Sequence, residues 1–153
     1  PYCLDGRPAR VGGIGERISP FHLAAPLDLV LVNPGFEVST REVFTAHGGR
    51  GRIEADAAGR LVAALAAGDL DGIARHLAND LEEVTTRLRP EVAPLRDRLR
   101  AAGARAVLMS GSGPTVFGLF DSPQGAAMAA VGLATPGLFV RAVRAQAERL
   151  AMA

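Results

Sequence analysis

Lysine is absent from this chain: all 17 basic residues are arginine. A phosphoryl-transfer site that relies on a lysine ammonium is therefore incomplete within these residues. Cysteine occurs once, at Cys3, which excludes an internal disulfide and a cysteine-rich zinc site. That usage fits a reducing compartment, so the cytoplasm is the expected location. His22, His47 and His76 are scattered, and no local spacing suggests a metal. No stretch approaches the roughly 20 apolar residues of a membrane span. An excess of one charge is missing too. Against 17 basic residues stand 16 acidic ones, for a net charge of +1. That balance makes no electrostatic case for nucleic acid or an anionic membrane as a partner. No signal peptide is visible, but the chain opens at Pro1 rather than Met, so a processed or partial chain is expected.

What is present is an ordinary globular composition. The 153 residues are 48% hydrophobic, enough for one domain with a sizeable core. Residues 1–26 are dense in Gly and Pro. Residues 9–18 have some strand character that glycine weakens, as at the end of a sheet whose other strands lie elsewhere. Residues 27–32 form an apolar run that Asn33-Pro34-Gly35 stops, the pattern of a buried strand. Ser39 or Thr40 can cap a short helix over residues 41–46. Phe44 lies on that helix, where an aromatic is on general grounds more often core than ligand contact. Residues 47–52 read as a surface loop whose two arginines could meet phosphate.

Residues 55–67 predict a helix that Gly68 ends, and Asp69 can cap the next one. Leu70, Ile73, Leu77, Leu81, Val84 and Leu88 then recur at three- and four-residue steps. This predicts one buried stripe running over about five turns. Asn79 and Asp80 fall between the apolar positions. They either orient a nearby loop or belong to a solvated helix face. Pro90 and Pro94 allow a break and restart, and Val92, Leu95 and Leu99 continue as another helix. Residues 104–109 and 116–120 read as strands. Ser122-Pro123 opens a helix completed by residues 126–133, and residues 138–143 form a final strand. Residues 144–153 form a tail with little to fix it. There is no internal repeat and no low-complexity linker. From residue 27 the order matches a β-α-β-β-α-β split pattern with extra helices in the first crossover. The expected class is α+β, ferredoxin-like, with helices covering one face of an antiparallel sheet.

Between the two predicted strands at 104–109 and 116–120 lies Ser110-Gly-Ser-Gly-Pro-Thr115. Gly111 and Gly113 permit positive φ and leave backbone N–H groups unshielded, and Ser110, Ser112 and Thr115 add hydroxyls. Such N–H groups can converge on a phosphate oxygen. Turn chemistry by itself also selects Gly and Ser, so the stretch alone does not decide between an anion cradle and a plain hairpin.

Its company points further. Pro1-Tyr-Cys-Leu4, Gly13-Ile-Gly-Glu16, Asn33-Pro-Gly-Phe-Glu-Val-Ser-Thr40 with Phe44, Asn79-Asp-Leu-Glu82 and the run from Met109 to Phe117 occur in that order. Together they resemble the C-terminal part of GHMP-superfamily small-molecule kinases, in the branch acting on a cytidyl-linked erythritol in non-mevalonate isoprenoid biosynthesis. The resemblance implies the fold of the GHMP kinase C-terminal domain over residues 27–147. Residues 1–26 would then be a remnant of the N-terminal catalytic domain, and residues 148–153 a tail. Phe44 would stack on the cytosine ring, and Thr40 would sit beside the reacting end of the substrate. Ser110, Gly111, Ser112 and Gly113 would support the phosphate-binding loop. The intact enzyme would use ATP and Mg²⁺. The catalytic Asp would lie just upstream of Pro1, and the Lys and glycine-rich ATP loop further upstream. No residue here would then be catalytic or a metal ligand, and the missing N-terminal half would be the obligatory partner. Two other readings stay open: a non-catalytic α+β anion-binding module, and a sister kinase acting on mevalonate- or homoserine-like substrates.

Overall fold

A computed structural model describes residues 8–49, 51 and 56–145. The Pro1–Leu4 motif, the loop arginines Arg50 and Arg52, and residues 146–153 lie outside the described residues. A hairpin of β1 (Ala9–Gly12) and β2 (Arg17–Pro20) precedes β3 (Leu27–Asn33). Helices α1 (Thr40–His47), α2 (Ala57–Ala67), α3 (Leu70–His76) and α4 (Leu81–Leu88), a 3-10 turn at Pro90–Val92 and α5 (Ala93–Ala101) lead to β4 (Ala106–Met109). Then come β5 (Val116–Phe120), α6 (Pro123–Leu133) and β6 (Phe139–Ala145). The last four strands form one sheet in the order β4-β5-β3-β6, with every neighbouring pair antiparallel. This is the expected split β-α-β-β-α-β arrangement with its crossover helices inserted.

The helix boundaries follow from local chemistry. Ser39 Oγ accepts from the Glu42 N–H (3.3 Å), Asp69 Oδ1 from Gly72 (2.9 Å) and Ser122 Oγ from Gly125 (3.1 Å). Each satisfies a donor left free in a first helical turn. Of the two cap candidates for α1, Ser39 takes the role, which leaves the Thr40 hydroxyl available.

The core corrects one expectation. Val30 and Val32 on one face of β3 pack with Val92, Leu95 and Leu99 and with Ala126, Ala129 and Leu133 of α6. Leu27 and Leu29, on the opposite face, join Leu119 against Leu61, Ala64 and Leu65 of α2 and Ile73 of α3. Helices therefore lie on both faces of the sheet, not one. The cause is in β3 itself. It is apolar at almost every position, so neither face can be left to water.

Two further expectations change. The predicted five-turn stripe breaks: α3 ends at His76 and α4 begins at Leu81. At the break Asn79 Oδ1 accepts the Leu81 N–H at 2.9 Å. A side chain has taken a donor that a continuous helix would direct to Leu77. The final strand also runs longer than residues 138–143 suggest. Arg144 belongs to β6 rather than to a tail, pairs across the sheet with Asp28, and places its Nε 3.1 Å from the Asp28 carboxylate. Burial leaves Asp28 8% exposed, so the guanidinium compensates an otherwise costly charge.

The β1–β2 hairpin forms a two-stranded sheet of its own and does not join the four-stranded one. Val11 and Ile18, opposite each other in its register, stay exposed.

Candidate functional site

The β4–β5 register pairs Met109 with Val116, so residues 110–115 form the connection at one end of the sheet. Ser110 N–H donates to the Thr115 carbonyl (2.9 Å), and Gly113 N–H donates to the Ser110 carbonyl (2.9 Å). The second bond closes a β-turn with Gly111 and Ser112 at its centre. Gly111 has φ 57° and Gly113 φ 81°. At Gly113 space matters as well. An added Cβ would lie 2.6 Å from Met109 Sδ and 3.2 Å from Thr85 Cγ2. The Gly113–Pro114 peptide is cis.

Four other elements grip this loop. At the end of β3, Asn33 Nδ2 donates to Thr115 Oγ1 (2.8 Å), while its Oδ1 accepts the Gly35 N–H (2.8 Å). At the start of α1, Thr40 Oγ1 and Ser112 Oγ share a hydrogen bond of 2.9 Å. Between α3 and α4, Asn79 Nδ2 donates to the carbonyls of Met109 and Gly111, both at 2.8 Å. On α4, the fully buried Thr85 donates its hydroxyl to the Ser112 carbonyl at 3.1 Å. The backbone N–H groups of Gly111 and Ser112 have no partner among the described residues.

Phe44 stands one turn beyond Thr40 on the same side of α1. Its neighbour Val43 is fully buried, whereas Phe44 is 57% exposed. The general expectation that Phe44 packs into the core does not hold. The helix buries one face only, and position 44 falls on the other. A polar loop with free amide donors and an open aromatic ring thus flank one bridging pair of hydroxyls.

The structure brings Thr40, Ser112, Gly111 and Gly113 into this arrangement, while the Ser110 side chain is exposed at its edge. Asn33 and Thr85 were not foreseen as part of it. Asn33 reads in sequence as a strand stop, and Thr85 sits within the apolar α4 pattern, where no signal marks it.

An ion-pair cluster lies at the far end of the β4–β5 ladder. There Arg105 donates to both carboxylate oxygens of Asp121 (2.5 and 3.0 Å) and also to Asp71 of α3. The hydrogen bond from Arg105 holds the Asp121 carboxyl below its ordinary range. This cluster ties α3 to the sheet, away from the loop. Among the described residues no group of three or more His, Cys, Asp or Glu could hold a metal, and no helix is long and apolar enough to cross a membrane.

A split antiparallel sheet with helical insertions and a gripped Gly-Ser-Gly turn defines a class. Residues 61–135 match the family model described as GHMP kinases C terminal. The chain has the fold of the C-terminal domain of the GHMP kinase superfamily.

Its similarities within that superfamily are narrower. It is 48% identical over 120 residues to the 4-diphosphocytidyl-2-C-methyl-D-erythritol kinase of Pelotomaculum thermopropionicum, covering 78% of this chain and 42% of the relative. With the enzyme of the same name from Geobacter metallireducens it is 41% identical over 146 residues, covering 95% of this chain and 50% of the relative. A crystal structure of a 4-(cytidine 5'-diphospho)-2C-methyl-D-erythritol kinase superposes with a TM-score of 0.73 at 34% identity, over 95% of this chain and 53% of that one. Homoserine kinase from Cytophaga hutchinsonii reaches the same TM-score at 23% identity, over 95% of this chain and 50% of its own, a likeness of fold. The chain spans about half the length of the curated relatives it matches.

Proposed function

We propose that this chain supplies the substrate-facing half of a cytoplasmic, ATP-dependent small-molecule kinase. The reaction is transfer of the γ-phosphoryl group of ATP to the 2-hydroxyl of 4-diphosphocytidyl-2-C-methyl-D-erythritol, a step of non-mevalonate isoprenoid biosynthesis. The observation that carries this reading is the Thr40–Ser112 hydroxyl bridge, with Phe44 exposed one turn further along α1. It sets a flat apolar face, for a pyrimidine ring, beside polar groups and free amides, for phosphoryl oxygens.

In this reading residues 27–147 form the substrate-side domain, residues 1–26 belong with the catalytic half, and residues 148–153 are a tail. Phe44 stacks on the cytosine. Thr40 lies beside the accepting hydroxyl. Ser110, Gly111, Ser112 and Gly113 back the phosphate-binding loop. The substrate oxygen forms a bond to the γ-phosphorus as the bond to the β–γ bridging oxygen breaks, ADP leaves, and the hydroxyl proton passes to a carboxylate base outside these residues. Catalysis of this type consists chiefly of positioning and charge stabilisation. Mg²⁺ is expected with ATP, and in this reading its binding belongs to the other half.

The test compares kinase activity of the intact gene product with that of the 153-residue chain alone. ATP-dependent phosphorylation of the cytidyl substrate by the former and none by the latter is expected. Turnover by the chain alone would overturn the divided site. Preference of the intact product for mevalonate or homoserine would overturn the substrate.

A further inference from the structure

Asn79 is outside the groups assigned to substrate above, yet it uses its whole amide on this site. Its Nδ2 donates to two carbonyls, those of Met109 and Gly111, and its Oδ1 accepts the Leu81 N–H. Only one orientation of the amide satisfies all three, because the first two partners accept and the third donates. Asn79 therefore links the first turn of α4 to both sides of Ser110.

The turn it holds has Gly111 at positive φ and Ser112 at negative φ, the sign pattern of a type II′ turn. In a trans peptide the carbonyl and the following N–H point in opposite directions. With the Gly111 carbonyl drawn onto Asn79, the Ser112 N–H must point away from it. The Ser110 carbonyl faces into the turn to accept the Gly113 N–H, so the Gly111 N–H points outward. The Ser112 carbonyl is held in turn by Thr85. Each carbonyl from Met109 to Ser112 except that of Ser110 is thus anchored to the helical layer, and Ser110 closes the turn. The two amides left over are adjacent and unpartnered among the described residues.

We propose that Asn79 is a positioning residue that aims the Gly111 and Ser112 amides as paired donors for an anionic phosphoryl oxygen. The inference rests on the kinase reading only for which phosphoryl group arrives there. It assigns Asn79 no contact with substrate. Its action passes through the turn, with Thr85 as the second anchor.

The test uses the full chain with ¹⁵N-labelled Gly, Ser and Leu, titrated with inorganic pyrophosphate. Saturable shifts of the Gly111 and Ser112 amides are expected in the native chain. Asn79→Asp keeps the oxygen that caps Leu81 but turns an acceptor onto two carbonyls. It should weaken the pyrophosphate response about tenfold or more while the Leu81 amide stays in place. Thr85→Val, which deletes one hydroxyl, should weaken it by a smaller factor and decides the matter if Asn79→Asp does not fold. In the intact enzyme Asn79→Asp should lower kcat by about tenfold or more with little change in KM for the cytidyl substrate. No saturable shift at these amides in the native chain would overturn the proposal, as would native affinity in the folded Asn79→Asp chain or, failing that, in Thr85→Val. Loss of the pyrophosphate response on Asn79→Asp, together with unaltered cytidine diphosphate binding on Phe44→Ala, would instead sustain the positioning role and remove the cytidyl substrate.

Discussion

Thr40 and Ser112, 72 residues apart in the chain, join their hydroxyls across 2.9 Å. The bond fastens the start of α1 to the turn between β4 and β5. Because Thr40 is exposed, its loss is compensated in part by water. Thr40→Val and Ser112→Ala should each cost about 0.5–1.5 kcal/mol. The double variant should cost little more than either single one, because both remove the same interaction. Urea midpoints for the four proteins measure this. Fully additive losses would mean the two hydroxyls are not paired in solution.

Phe44 offers a separation of stability from binding. Truncating a ring that is 57% exposed should leave the thermal midpoint nearly unchanged. Stacking of an aromatic side chain on a base is worth about 1–3 kcal/mol, so Phe44→Ala should raise the dissociation constant for a cytidine nucleotide by roughly 5- to 150-fold. Calorimetric titration alongside a melting curve reads both. A large fall in the midpoint with unchanged binding would return Phe44 to a structural role.

Gly113 and Gly111 should respond differently to alanine. Both have positive φ, but only at Gly113 would the new methyl carbon approach Met109 Sδ to 2.6 Å. Gly111 opens onto free space. Gly111→Ala should cost about 1 kcal/mol from backbone strain alone, and Gly113→Ala about 2–4 kcal/mol as overpacking is added. Denaturant unfolding of the two variants checks the order, and equal costs would mean that Met109 yields freely.

The Arg105–Asp121 pair makes acid sensitivity local. Hydrogen bonding to Arg105 lowers the folded-state pKa of Asp121 relative to the unfolded chain. A depressed carboxylate stabilises the fold above its unfolded pKa of about 4, and that contribution disappears as pH falls through the lower folded value. Asp121→Asn should therefore lower the melting temperature at neutral pH and flatten its fall below about pH 4. The two melting curves should converge at the acid extreme. An identical acid limb in both proteins would place the sensitivity on other carboxylates.

Much of the architecture is legible along the chain. Apolar runs bounded by Asn33-Pro34-Gly35 and by the Ser-Gly-Ser-Gly turn mark β3, β4 and β5, and β5 falls where those limits put it. Ser39, Asp69 and Ser122 cap the helices that follow them, because a short polar side chain needs only a nearby N–H. The stripe from Leu70 to Leu88 misled about continuity. Periodicity reports which positions seek apolar contact, and they find it on both sides of the break: Leu70, Ile73 and Leu77 pack in the cluster with Leu119, and Leu81 packs against the other cluster. Asn79 decides the break, and its reason for doing so lies in carbonyls 30 and 32 residues away.

By itself the sequence determined the local conformations: where strands stop, which glycines can take positive φ, and which hydroxyls lie in the turn. Through the order of its motifs it also carried the resemblance to the C-terminal domain of GHMP kinases. Only the tertiary structure decided that Thr40, Asn79 and Thr85 converge on Ser112 and its neighbours, and that Phe44 faces water. Those facts depend on how β3 pairs with β5 and how α1 rests against α4. Contacts made across such separations are selected by the packing of the whole core, which no short window of residues encodes.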